Sequence, residues 1–237
     1  MPALPAPPVA DATRVKTVAL AGNPNVGKTT LFNALTGAQQ KVANYPGVTV
    51  ERKSGRLKGT DIEVVDLPGT YSLAPKSVDE RVAFDALTGR ITGEPAPDVV
   101  VCVLDATNLE RNLYLATQVL DLGLPTVVAL NMTDAALEGG ITVDAEKLSE
   151  TLGVPVVETA ARIGQGIDAL KVAVLDPPPP ATSAPWEVMP AVQAVLSDLE
   201  AALPPDVPES RRRFEALGAL TADPLLEPWR ERSPGFH

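Results

Sequence analysis

One cysteine and one histidine are all that the 237 residues contain. The histidine is His237, the last residue, so histidine-based catalysis and a histidine-built metal centre have nothing to draw on. Cys102 alone cannot close a disulfide within the chain, which suits a reducing compartment. It lies inside the apolar run 99–104 and reads as a buried strand thiol rather than a reactive one. Aromatic residues make up only 4%, so a core must come from Val, Leu, Ile and Ala. Basic residues are outnumbered, 20 against 30 acidic, for a net charge of −10. That balance argues against a nucleic-acid partner or an anionic lipid surface. No apolar run approaches the ~20 residues needed to span a bilayer. The first ten residues hold four prolines and no basic residue, which excludes a signal peptide there. Residues 1–16 read as a disordered, Pro-rich tail.

What is present is an ordinary globular balance, 45% hydrophobic and 21% charged. Within it stands Gly22-Asn23-Pro24-Asn25-Val26-Gly27-Lys28-Thr29. This fits the G-x-x-x-x-G-K-[ST] phosphate loop. An apolar strand, 17–21, precedes it, and a helix, 28–36, follows through Thr30 and stops at Gly37. Glycines let successive N–H groups turn toward phosphate oxygens, and the helix N-terminus adds partial positive charge. Lys28 is expected on the β- and γ-phosphates, and the Thr29 hydroxyl on Mg²⁺.

The rest of the chain alternates strand and helix. Residues 38–46 lack periodicity and read as a mobile polar loop. Strands are expected at 48–57, with Ser54-Gly55 as a candidate bulge, and at 61–65. A helix at 77–87 opens on Ser77 with Glu80 three residues on, the capping-box spacing. Further strands fall at 99–104, 126–130 and 154–157, and helices at 109–122, 144–152 and 167–175. Such alternation predicts an α/β fold with a mostly parallel sheet covered on both faces. Ligands in such sheets sit at the carboxyl ends of the strands. Residues 17–176 are expected to form this domain, 177–185 a stiff Pro-rich linker, and 186–237 a small helical domain. Its helices begin with the spaced apolar residues Val188, Val192, Val195, Leu196 and Leu199, followed by a stretch at about 209–220.

Each remaining polar signature follows a predicted strand. Asp66-x-x-Gly69 is placed for the Asp to hold a water on Mg²⁺ and for the Gly N–H to meet a γ-phosphate. Gly47-Val48-Thr49 offers a second hydroxyl to Mg²⁺, or else Thr49 is an ordinary strand threonine. Asn131-Met132-Thr133-Asp134 puts a carboxylate where guanine N1–H and N2–H₂ can both donate to it. Adenine has no matching donors and leaves that carboxylate unpaired. Thr159-Ala160-Ala161 follows the last strand and can offer a backbone N–H to guanine O6. Together these elements read as a guanine-nucleotide switch that transfers a phosphoryl group to water, with GTP or GDP as its ligand. No glutamine follows Gly69; the next residues are Thr70 and Tyr71. Asn25 suggests a substitute, a side-chain carbonyl that holds a monovalent cation beside the phosphates, or else it only braces the loop.

These motifs, with Asn44-Tyr45-Pro46-Gly47-Val48-Thr49-Val50-Glu51, Asp66-Leu67-Pro68-Gly69-Thr70-Tyr71-Ser72-Leu73 and Asp105-Ala106-x-Asn108-Leu109-Glu110-Arg111-Asn112-Leu113-Tyr114-Leu115, resemble the cytosolic N-terminal part of the FeoB family of prokaryotic ferrous iron transporters. Met132, where other small GTPases carry lysine, points the same way. The resemblance covers about residues 17–175. It implies a Ras-like GTPase domain, GTP hydrolysis linked to Fe²⁺ uptake, and K⁺ assistance through Asn25. It implies that 38–49 and 66–76 are the two switches. It further implies a cytoplasmic position against the inner membrane, a membrane-spanning partner portion absent from these residues, and a helical domain from Trp186 that modulates nucleotide release and continues past His237. Assembly into a homo-oligomer stays open, as do two other readings: a ribosome-assembly or RNA-modification GTPase, and a non-catalytic nucleotide-gated binding module.

Overall fold

The computed structural model describes residues 15–37, 40–179, 189–205, 207 and 209–220. Seven strands form one sheet: β1 Thr17–Gly22, β2 Gln40–Asn44, β3 Glu51–Arg56, β4 Glu63–Asp66, β5 Val99–Asp105, β6 Thr126–Asn131 and β7 Val156–Glu158. Their order across the sheet is β2-β3-β4-β1-β5-β6-β7. The pairings from β4 through β7 are parallel, while β2–β3 and β3–β4 are antiparallel. Around the sheet lie α1 Lys28–Thr36, α2 Val78–Thr88, α3 Leu109–Asp121, α4 Thr133–Glu138, α5 Ala145–Leu152 and α6 Ile167–Leu175. Two more helices follow, α7 Pro190–Ala202 and α8 Glu209–Leu220.

Strand periodicity explains the two-sided core. Successive side chains of a strand point to opposite faces. Ala19, Ala21, Val100, Cys102 and Leu104 meet Phe84, Leu87, Leu115 and Val119 of α2 and α3 on one face. Val18, Leu20, Val99, Val101 and Val103 meet Leu31, Phe32, Leu35, Leu170 and Val174 of α1 and α6 on the other. Strands buried on both faces read as unbroken apolar runs, as 99–104 does. Each large side chain so buried stabilises the fold by about 1.5–3 kcal/mol. Cys102 is fully buried, and burial pushes its thiol up to about 12, so it is unreactive.

Three local expectations change. Residues 40–44 are not loop but β2, every residue exposed, paired with β3 from Gln40↔Gly55 to Asn44↔Glu51. Ladder hydrogen bonds hold this strand without a buried face. The register runs through Ser54 and Gly55 on both sides without interruption, so there is no bulge. At α2, Ser77 Oγ accepts the Glu80 N–H at 3.2 Å as the capping spacing predicts, but the Glu80 carboxylate turns to the Lys76 N–H at 2.9 Å instead of that of Ser77.

Helix α8 docks on the sheet-covering helices. Phe214 stacks obliquely on Phe84 with ring centroids 6.0 Å apart, and Arg211 Nη1 donates to the Thr88 carbonyl at 3.1 Å. Glu215, 3% exposed, lies between Arg90 and Arg211 at 3.5 and 3.2 Å. On α3, Asp121 Oδ1 is buried without a hydrogen-bond partner among the described residues; Arg213 Nε is 3.8 Å away, too far to donate. Burial pushes this carboxyl up to about 6, against the pull of Arg213. A carboxyl raised on folding favours the native state while protonated and loses that advantage as pH rises through about 6. Asp121→Asn keeps an acceptor without the buried charge. The variant is therefore expected to be more stable at pH 7 by at most about 3 kcal/mol. Urea melts should show this gap closing between pH 6 and pH 4; a gap that widens on acidification contradicts the assignment. None of the helices of the described residues is long and apolar enough to cross a membrane.

Candidate functional site

The phosphate loop joins β1 to α1, and its backbone is strained where the motif requires it. Gly27 has φ +84°, and a Cβ there would come 2.4 Å from Asn131 Nδ2. Asn25 also adopts positive φ, +67°, uncommon for a residue with a side chain. Helix α1 starts on Gly27 with no side-chain cap and no acidic residue in its first turn. By contrast α2 and α5 are capped by Ser77 and Asp144. The first N–H groups of α1 are thus left without a side-chain acceptor at the positive end of its dipole, an arrangement suited to an anion.

Lys28 lies across this loop. Its Nζ donates to the carbonyls of Gly22 and Asn23 at 3.0 and 3.1 Å. Burial lowers its pKa, and the nearby Asp66 works in the other direction. Thr29 Oγ1 donates to Asp66 Oδ2 at 3.0 Å. The second oxygen, Asp66 Oδ1, is buried with no partner among the described residues. Burial raises the Asp66 pKa, opposed by the Thr29 hydroxyl, Lys28 and Lys53. An orphaned, desolvated carboxylate oxygen is costly unless a cation or its water completes it. The hard oxygen pair of Thr29 and Asp66 fits a Mg²⁺ ion, which keeps several waters and takes few protein ligands.

An open cleft of about 320 Å³ gathers Lys28, Thr29, Thr49, Lys53, Asp66 and Gly69. Thr49 lies in the turn before β3 rather than in the strand, and it is exposed. That turn closes through Tyr45 N–H to the Val50 carbonyl at 3.0 Å, leaving Gly47 at φ +77°. Gly69 packs on Pro24, and a Cβ there would lie 3.0 Å from the Pro24 Cα. Thr70 is 2% exposed; its N–H donates to the Gly22 carbonyl at 3.3 Å and its hydroxyl to the Ser72 carbonyl. It holds the loop in place and is not turned toward the cleft. Tyr71 stacks under the Arg111 guanidinium at 4.5 Å, and the Leu73 N–H donates to Gln118 of α3 at 2.7 Å. Composition gave no hint of these two ties, because each joins residues distant in the chain.

A second opening of about 260 Å³ is lined by Gly27, Thr30, Asn131, Met132, Asp134, Ala161 and Arg162. Asn131 is 2% exposed and joins the loops: Nδ2 donates to the Val26 carbonyl at 3.0 Å, and Oδ1 accepts from the Thr159 hydroxyl and the Ala161 N–H at 3.2 and 3.1 Å. Ala160 N–H donates to the Gln165 carbonyl at 3.1 Å and Thr159 N–H to the Leu130 carbonyl at 2.8 Å. With Ala161 N–H on Asn131, every N–H that the segment 159–161 was expected to offer guanine O6 already has an acceptor within the chain. Asp134 Oδ2 accepts from Arg162 Nη2 at 3.1 Å, and that bond first of all holds its pKa down. Met132 has φ +61°, turning the chain from β6 into α4 so that Asp134 faces the opening. Lys53 and Arg162 were not singled out in the sequence; they lie two positions and one position past a motif, and only the fold brings their side chains in.

The model of the family described as ferrous iron transport protein B, N-terminal part, matches residues 16–174. The chain belongs to this FeoB family. It is 44% identical over 216 residues to the Fe(2+) transporter FeoB of Shigella flexneri, covering 87% of this chain and 27% of that protein. It therefore spans about a quarter of the length of the curated relatives it matches. Among solved structures it resembles a point variant of S. thermophilus NFeoB bound to GDP, with 42% identity, a TM-score of 0.81, and coverage of 90% of this chain and 82% of that one. The cytosolic domain of L. pneumophila FeoB is 41% identical with a TM-score of 0.77, covering 88% and 89% of the two chains. The expected FeoB resemblance, and the mostly parallel α/β fold with a small helical part, are borne out. The helical segment from Trp186, the tail at 1–14, and positions 180–188 and 221–237 lie wholly or partly outside the described residues.

Proposed function

We propose that this chain is the guanine-nucleotide-binding and GTP-hydrolysing portion of a ferrous iron transporter. One observation carries the reading: consecutive residues of one loop and helix start divide between two openings, Lys28 and Thr29 lining one suited to phosphates and Gly27 and Thr30 lining one suited to a base. In this reading Gly22 to Thr30 wrap the phosphates with their N–H groups, and Lys28 exchanges its two carbonyl partners for phosphate oxygens. Thr29, Asp66 and, when a γ-phosphate is present, Thr49 would hold Mg²⁺, which would supply neutralising charge to the phosphate oxygens. The loop Gly47-Val48-Thr49 closes over the cleft, and the Gly69 N–H meets the γ-phosphate. Asp134 reads guanine N1–H and N2–H₂. Met132 and the segment Thr159-Ala160-Ala161 wall the base, with Asn131 bracing them.

Catalysis here is positioning and charge neutralisation rather than covalent chemistry. Thr70 has no side chain able to orient water toward the phosphate, so turnover is slow. Asn25, exposed at the rim of the loop, would offer its side-chain oxygen to K⁺, which would supply positive charge beside the phosphates. Residues 17–176 act as the nucleotide domain, 177–185 as linker, and 186–237 as a helical domain. Through α8 that domain touches both α2 and α3, the helices that follow and flank residues 66–76. The remainder of the transporter is the membrane partner, placing this domain at the cytoplasmic face of the cell membrane.

Single-turnover hydrolysis of GTP tests this. The unchanged chain should hydrolyse GTP with added Mg²⁺, several-fold faster in K⁺ than in Na⁺. Asn25→Ala should lose the K⁺ response and keep GTP affinity. No GTP cleavage under any salt contradicts the enzymatic reading; equal rates in K⁺ and Na⁺ remove Asn25 from it.

A further inference from the structure

The base-side opening already contains a guest. Arg162, on the turn after β7, places its guanidinium on Asp134, Nη2 to Oδ2 at 3.1 Å. Both side chains line the same opening beside Gly27, Met132 and Ala161. The Asp134 side chain is 16% exposed and the Arg162 side chain 74%, so the pair sits at the rim of the opening with its cation largely in solvent. The turn beneath it is fixed independently: Ile163 N–H donates to the Ala160 carbonyl at 3.0 Å, and Ala160 pairs with Gln165. Release of the side chain therefore needs no movement of the backbone.

The chemistry of the two guests matches. A guanidinium presents planar N–H donors that suit a carboxylate edge. Guanine presents N1–H and N2–H₂ in the same plane on one edge. Both require the same acceptor, and while Arg162 holds Oδ2 the full guanine contact cannot form. We propose that Arg162 is an internal competitor for the base-reading carboxylate: it satisfies Asp134 when no nucleotide is bound, and guanine must displace it. This rests on the reading of Asp134 as the residue that recognises guanine. An exposed ion pair is weak, so Arg162 tunes binding rather than blocking it, by a factor of up to about five. Arg162 thus sets how readily the base slot fills.

Stopped-flow binding of a fluorescent GDP to the whole chain tests the proposal. Arg162→Ala should bind up to about fivefold more tightly, the gain lying in the association rate. The gain should shrink between about 0.05 M and 0.5 M salt, because an exposed pair is screened. Arg162→Lys, with a cation but no planar fork, should fall between the two. An Arg162→Ala variant that binds GDP more weakly shows the residue supporting the base, and one that binds equally at every salt shows the pair to be irrelevant; either overturns the proposal. Failure of the underlying reading looks different: Asp134→Ala then binds GDP as well as the unchanged chain does, whatever residue stands at 162.

Discussion

Lys28→Ala is expected to lower GDP and GTP affinity by roughly a thousandfold, the loss that follows removal of one partner from a desolvated charge pair. The lysine is 8% exposed and already desolvated, with two loop carbonyls as its acceptors at 3.0 and 3.1 Å. Burial depresses its pKa, so an arriving phosphate restores a full charge partner rather than recruiting a solvated lysine from water. The energy of that contact is available to ligand and not already used by an ion pair: Asp66 affects Lys28 at a distance, while its own hydrogen bond goes to Thr29. The substitution leaves the carbonyls of Gly22 and Asn23 without this donor, but it also removes a buried cation. The melting temperature of the nucleotide-free chain should therefore change little. The GDP-induced rise in melting temperature should vanish in the variant. A Lys28→Ala chain that still gains stability from GDP contradicts the placement of the phosphates.

Asp134→Asn should reduce GDP affinity by about a hundredfold or more while leaving the phosphate cleft unaltered. The amide offers one acceptor and one donor where guanine needs two acceptors, so an N–H meets an N–H. Xanthine carries a carbonyl oxygen at C2 in place of the amine, and the asparagine N–H can donate to it. The variant should therefore prefer xanthosine diphosphate over GDP, reversing the order shown by the unchanged chain. Competition of fluorescent GDP by GDP, xanthosine diphosphate and ADP measures this. The change also removes the charge partner of Arg162, leaving only a neutral acceptor, so the effect of Arg162→Ala should shrink in the Asn background. A variant that retains its order of preference contradicts the role of Asp134.

What could be read from the chain alone follows from which constraints are local. The phosphate loop was legible because its glycines and lysine answer backbone requirements within eight positions. Strands β5 and β6 were legible because burial on both faces demands an unbroken apolar run. Strand β2 was not: all five of its residues are exposed, so no period of 2 marks it, and only pairing with β3 makes it a strand. Helix α4 was missed because it is only six residues long and its first two, Thr133 and Asp134, belong to the segment read as a base-recognition loop. The run Arg211-Arg212-Arg213 resembles a solvated charged face, yet Arg211 and Arg212 donate to the carbonyls of Thr88 and Glu200, and Arg213 lies 3.8 Å from the Asp121 carboxylate as a loose ion pair. Asn131 was expected at the base, but its side chain is taken up in tying the phosphate loop to residues 159–161, a role that needs three segments to be seen together. The Arg162–Asp134 pair is the same kind of case, joining the turns after β6 and β7 across 28 positions.

The central claim is that the openings lined by Lys28 and Thr29 and by Gly27 and Thr30 form one site for a guanine nucleotide. Isothermal titration of the intact chain with GDP and with ADP, each in the presence of Mg²⁺, tests it most directly. The account predicts one GDP per chain, bound at least about a hundredfold more tightly than ADP. No heat with GDP, or equal affinity for the two nucleotides, contradicts it.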